Sequence, residues 1–148
     1  YPPHLLTEVI QDKKNRHVLL GVGCGTGTYS TIIAQAGYEV IGIDFVAAAL
    51  DMARERAVGA KVSIQFQQAD ACDCQSQDPF DIVLNSGCLY SLKKKEKHRQ
   101  NLLSWLQPGG QFILVHFNQR HFFEWRLTVS HRWNREQVEE FLGSEFQL

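Results

Sequence analysis

The chain has 148 residues, 44% hydrophobic and 21% charged, with a formal net charge of −1 at pH 7. That is enough apolar material for one domain with a buried core, and it carries no charge excess to draw the chain to nucleic acid or an anionic membrane. No apolar run reaches the roughly 18–20 residues of a bilayer span, and no signal peptide is legible.

Pro2 and Pro3 before residues 4–10 predict a short helix with proline in its first turn, where a missing amide costs nothing. Leu5, Leu6, Val9 and Ile10 give it an apolar face, and residues 11–16 form a polar linker. Val18, Leu19 and Leu20 are the apolar run of a strand buried on both faces. It breaks into Gly21, Gly23, Gly25 and Gly27, a spacing that calls for positive φ angles or close backbone approach. Thr26, Thr28 and Ser30 lead into a helix with Ile32, Ile33 and Ala36 at helical spacing, closed by Gly37. Strand, glycine loop and helix start make a site for a nucleotide-like ligand.

Residues 38–43 read as a second strand ending at Asp44, 19 residues after Gly25. An acid at that distance accepts hydrogen bonds from both ribose hydroxyls of a nucleotide; capping the following helix is a compatible second role. Residues 45–58 predict an amphipathic helix with Leu50, Met52, Ala53 and Ala57 inward and Arg54, Glu55 and Arg56 outward. Residues 62–67 alternate strictly, as a strand near the sheet edge does, and lead to Asp70, a ligand candidate or a turn initiator.

Residues 79–84 read as a central strand around Ile82, Val83 and Leu84, emerging into Asn85, Ser86, Gly87 and Cys88. The charge run at 93–99 is a solvated helix start or a phosphate-binding patch, followed by a buried face of Leu102, Leu103 and Leu106. Residues 107–110, Gln-Pro-Gly-Gly, form a tight turn into a fifth strand at 111–115. The fold class is therefore α/β, a Rossmann-like parallel sheet with right-handed crossovers and helices on both faces. Residues 116–126 are dense in aromatic and titratable groups, which read as a pocket wall or as a packed loop. Asn134 opens a capping box for a helix to Leu142, and residues 146–148 begin a sixth strand.

The glycine spelling is GxGxG; Thr28 stands where a GxGxxG dinucleotide fingerprint would end, and no Walker lysine follows. GCGTG after an apolar strand, then Asp44, Asp70, FDIVLNSGCLYSL and WLQPGG, in that order, resembles the class I S-adenosylmethionine-dependent methyltransferases. The resemblance covers residues 18–115. It implies S-adenosylmethionine as cofactor, with Gly23, Cys24, Gly25 and Gly27 under its methionine half. Asp44 then meets the ribose and Phe45 packs on the adenine. Asp70 meets the adenine amino group, the amide of Ala71 a ring nitrogen, and Asn85 and Ser86 face the sulfur. It implies in-line methyl transfer to a small nucleophile, similar to the thiopurine and tellurite methyltransferases. Tyr90, His116 and His121 are the candidates for a substrate contact or base.

An RNA or protein acceptor, a cofactor-binding module without activity, and an NAD enzyme stay open as alternatives. Cys72 and Cys74 are too close for a zinc knuckle, so no metal is expected, and the four cysteines read as reduced thiols of a cytoplasmic protein. Two departures from the family stand out. Gly21 occupies the place of its usual Asp or Glu, and the chain stops before the antiparallel seventh strand that normally lies beside the fifth. The expectation is one domain over residues 1–148, truncated at both ends, or a sheet completed by a partner strand in a dimer, or an altered sheet with an open edge.

Overall fold

The strand Val18–Val22, β1, occupies the middle of the sheet, because its apolar residues serve both faces. The computed structural model describes residues 17–89, 92–115 and 135–146. After β1 come α1 (Thr28–Gln35), β2 (Glu39–Asp44), α2 (Ala47–Gly59), β3 (Gln65–Gln68) and β4 (Phe80–Ser86). Then follow α3 (Lys95–Trp105), β5 (Leu106–Val115) and α4 (Arg135–Leu142). The five strands pair in the order β3-β2-β1-β4-β5, all parallel, as the α/β reading expects.

Leu19 points to one face, where it meets Ile33 of α1 with Val40, Ile82 and Leu84. Leu20 and Val22 point to the other, with Val83, Leu102 and Trp105. α2 lies beside α1 and buries Leu50, Ala53 and Ala57, while α3 and Phe141 of α4 cover the opposite face. Each fully buried Leu or Val contributes about 1.5–3 kcal/mol over leaving it in water, which is why the pattern of strand residues sets which helix lies where. Among the described residues no helix is long and apolar enough to cross a membrane.

Several local expectations need correction. Met52 is 56% exposed, because the buried stripe of α2 runs through Leu50, Ala53 and Ala57 at three- and four-residue spacing. In α3 the stripe is His98, Leu102 and Trp105, so Leu103 is 40% exposed and Leu106 has already left the helix. Ala36 is exposed as well. β3 begins at Gln65 rather than at residue 62, because the Val62 amide donates to the Ala57 carbonyl at 3.1 Å and still closes α2.

The expected turn at 107–110 lies inside β5. Phe80 pairs with Leu106 and Ile82 with Gln111, so residues 107–110 loop out opposite Asp81. Gly109 has φ +81°, and a Cβ on Gly110 would lie 2.9 Å from the Gln107 carbonyl and 3.1 Å from that of Asp81. Phe146 is described outside any strand, its ring 5.9 Å from that of Phe112. The helix expected at 4–10, the linker at 11–16, the aromatic segment at 116–126, Asn134 and the last two residues lie outside the described residues.

Candidate functional site

In an open parallel sheet the crevice forms at the carboxyl ends of the strands, where the strand order reverses. Here the reversal falls between β1 and β4. A cavity of about 450 Å³ opens at those ends, and a second of about 220 Å³ adjoins it, Gly23 lining both. The larger is within the roughly 300–1,000 Å³ of small-molecule sites.

The glycine loop between β1 and α1 shapes both. Gly23, Gly25 and Gly27 have φ of +65°, +54° and +76°, conformations an L side chain resists. Their surroundings differ. A Cβ on Gly23 would lie 2.7 Å from Cys88, and one on Gly27 would lie 2.8 Å from Ala53 in α2. Gly25 has nothing within 4 Å of that position, which is open space, and it lines neither cavity. Gly21 corrects the expectation drawn from the spacing: it sits in β1 without a positive φ, and a Cβ there would meet Ser30 Oγ at an ordinary 3.4 Å. α2 holds the loop from outside, Arg56 Nε donating to the Thr26 carbonyl at 3.0 Å.

Asp44, at the end of β2, takes both roles allowed by its position. Its Oδ2 accepts from the Gly25 amide at 2.7 Å, and its Oδ1 accepts from the Val46 amide at 2.8 Å, at the start of α2. A carboxylate offers about four lone-pair sites, so both oxygens keep capacity for ligand hydroxyls. Asp70 initiates a turn: its Oδ1 accepts from the Cys72 amide at 2.8 Å and its carbonyl from the amides of Asp73 and Cys74. It also lines the larger cavity, together with Ala71, Asp44 and Phe45. Phe45 is 72% exposed and, with Val46, presents an apolar wall there. Ser86 and Cys24 line the smaller cavity.

Asn85 is placed differently from the other candidates. It is fully buried, its Nδ2 3.3 Å from His98 Nε2 and its Oδ1 accepting from the Cys88 amide at 3.3 Å. Tyr90, His116 and His121 lie outside the described residues. Burial, helped by the Asp44 charge, pushes the Cys24 and Cys88 thiols up to about 12. Both stay protonated at neutral pH and are poor nucleophiles.

Residue-by-residue reading missed Cys88, Leu92 and Lys93 of the larger cavity, and Thr26, Ser30 and Leu84 of the smaller. Cys88 stood within a segment already singled out. Lys93 stood in the charge run read as a helix start or a phosphate-binding patch; Leu92 carries no such signal, since the path from β4 to α3 decides that it faces the site.

Two carboxylates, the Gly23 backbone and an exposed aromatic ring along one crevice suit a ligand with a hydroxylated sugar and a flat ring. The methyltransferase domain family model matches residues 13–142. The demethylmenaquinone methyltransferase of Clavibacter sepedonicus is 34% identical over 101 residues, covering 68% of this chain and 41% of that protein. Phosphoethanolamine N-methyltransferase 1 of Triticum aestivum is 30% identical over 105 residues, covering 70% of this chain and 21% of that protein. Among solved structures, phosphoethanolamine N-methyltransferase 2 of Haemonchus contortus, in complex with phosphomonomethylethanolamine and S-adenosylhomocysteine, has the same fold. It superposes with a TM-score of 0.79 at 24% identity, over 95% of this chain and 35% of that one. The chain thus matches 21% and 41% of the lengths of the two curated relatives.

Proposed function

This chain belongs to the methyltransferase domain family, and we propose that it binds S-adenosylmethionine across the two cavities and directs methyl transfer to a small nucleophile. The observation that carries the reading is that Asp44 and Asp70 line one cavity that adjoins the glycine loop, where the strand order reverses. Asp44 takes the ribose hydroxyls with the lone pairs its two amide partners leave. Phe45 and Val46 shelter the adenine, and Asp70 with the Ala71 amide meets its polar edge. The smaller cavity, bounded by Ser30 and Ser86, receives the methionine end. The Ser30 hydroxyl stands beside Gly21 there.

The cofactor supplies an electrophilic methyl group on a sulfonium that needs no acid to leave. The work left to the protein is proximity, alignment and exclusion of water. Cys24 and Cys88, held protonated, do not serve as bases. Asn85, tied inside, fixes the carboxyl end of β4 and contributes through position. A small acceptor agrees with the relatives, which are named for phosphoethanolamine and demethylmenaquinone. A cytoplasmic location belongs to the same proposal; none of the four cysteines forms a disulfide.

Calorimetric titration of the full chain with S-adenosylmethionine and with NAD tests the reading. Micromolar binding of the first and none of the second is expected, with the affinity for the first at least about tenfold weaker (~1.4 kcal/mol) in Asp44→Ala. Absence of S-adenosylmethionine binding overturns the proposal. Binding without turnover on any acceptor would leave a cofactor-binding module.

A further inference from the structure

A buried polar network joins two parts of the larger cavity wall that belong to distant strands. His98, on α3, is fully buried, its Nδ1 3.3 Å from the Ala71 carbonyl and its Nε2 3.3 Å from Asn85 Nδ2. Asn85 Oδ1 lies 3.3 Å from the Cys88 amide nitrogen and 3.2 Å from Cys88 Sγ. Ala71 follows β3 and Cys88 follows β4, strands separated in the sheet by β2 and β1, and both residues line the cavity.

The direction of every bond is forced. A carbonyl only accepts, so His98 Nδ1 carries a proton. An amide N–H only donates, so the Asn85 atom facing Cys88 is oxygen and its NH₂ faces His98. Nε2 must then be a bare lone pair, and the imidazole is neutral. Protonating Nε2 would set N–H against NH₂, and turning the Asn85 amide over would set NH₂ against the Cys88 amide.

We propose that His98 is a positioning residue of the S-adenosylmethionine cavity. As the neutral, Nδ1-protonated tautomer it holds the Ala71 carbonyl on one side and, through Asn85, the Cys88 amide on the other, so that its protonation weakens cofactor binding. The proposal rests on the cofactor reading above. The Asp70–Ala71 segment that would meet the adenine is gripped by α3 at two side chains three residues apart. Asn101 Nδ2 also donates to the carbonyls of Ala71 at 3.1 Å and Cys72 at 3.0 Å. Loss of His98 therefore loosens the wall without releasing it.

Groups from each neighbouring element act on the imidazole. Burial lowers its pKa below 6.5, while the Asp70 charge and the Ala71 carbonyl in the β3–β4 loop favour the imidazolium. The Cys72 thiol in that loop is raised and Cys88 after β4 stands at about 12, so neither offers a negative partner. From its own helix, the Trp105 ring meets it edge-on at 5.8 Å.

The test uses the full chain with S-adenosylhomocysteine as probe, His98→Gln and His98→Phe as variants, and denaturation curves to confirm folding at each pH. Glutamine can donate to Ala71 and accept from Asn85 but does not titrate; phenylalanine does neither. Wild-type affinity should fall by about fivefold or more as pH drops from about 7.5 through values below the ordinary imidazole 6.5, down to the lowest pH at which the chain is folded. His98→Gln should bind like wild type at the higher pH and lose that dependence. His98→Phe, where folded, should bind more weakly at both. Long-range ¹H–¹⁵N spectra of the ligand-free protein should show His98 protonated at Nδ1 and bare at Nε2, a readout independent of the cofactor.

An Nε2–H tautomer, a pH dependence unchanged in His98→Gln, or wild-type affinity in a folded His98→Phe would each overturn the proposal. Wild-type protein that binds neither S-adenosylhomocysteine nor S-adenosylmethionine would overturn the cofactor reading, and this proposal with it. Tight wild-type binding that ignores pH would overturn this proposal alone.

Discussion

Four glycines spaced by two look equivalent on paper, yet their surroundings differ. Gly27 combines φ +76° with a Cβ position 2.8 Å from the Ala53 Cβ, so it sets how closely the loop approaches α2. Gly27→Ala meets both the left-handed penalty and overpacking, and should destabilise the fold by about 2–4 kcal/mol in urea denaturation. Gly25→Ala meets only the first, about 1–2 kcal/mol, but its Cβ projects into the open side of the loop and should weaken cofactor binding more than it weakens folding. Gly21→Ala should alter stability little, because its Cβ finds ordinary contacts. The spacing marks a loop; only the neighbours say which glycine serves packing and which serves a ligand.

Strands followed the apolar pattern closely, while in the helices the stripe that faces the sheet left Met52 and Leu103 exposed. At element ends a polar group with a competing bond moved the boundary. Val62 is alternating and β-branched, yet its amide closes α2, so β3 starts three residues later. The Gln-Pro-Gly-Gly stretch is a turn as read, but a turn looped out within β5 opposite Asp81. Asp81 fastens this corner: its Oδ2 accepts from the Val18 amide at 2.7 Å, and Gln107 Nε2 donates to its Oδ1. Asp81→Ala leaves the first amide of β1 without that acceptor and should cost about 1–3 kcal/mol by chemical denaturation. Cofactor affinity should be unchanged, since Asp81 lies at the opposite end of the strands from the crevice.

For the whole molecule, the buried imidazole links stability to pH. Burial holds the folded His98 pKa below its ordinary 6.5, so the unfolded chain takes up protons first as pH falls. Its contribution to stability is complete above about pH 6.5 and declines below it. Two exposed carboxylates act in a separate, more acidic window. Asp73, held down by Lys97 and Lys94, and Glu145, held down by Arg99, lose their contributions only as pH falls through values below their ordinary 3.8 and 4.5. Exposed pairs contribute little, so among the groups of the described residues with a shifted pKa the first loss of stability on acidification belongs to His98. Urea midpoints should fall between about pH 7.5 and about pH 5.5 in wild type, and His98→Gln should flatten that interval.

The sequence by itself determined the elements and their class. Apolar runs punctuated by glycine, Asp44 and the Pro-Gly-Gly turn act over a few residues, and local chemistry suffices to read them. It also pointed to several residues that line the two cavities, Gly23, Asp44, Phe45 and Asp70 among them, because a ligand-binding loop is written in consecutive letters. Only the tertiary structure decided what those groups touch. Asp44 is clamped to Gly25 across 19 residues of chain, and Asn85, read as a ligand contact, is drawn inward by a histidine on α3. His98 itself looked like part of a solvated charge run. Its burial follows from the face α3 turns to the sheet, and that orientation depends on Leu102 and Trp105 packing against β1 and β4.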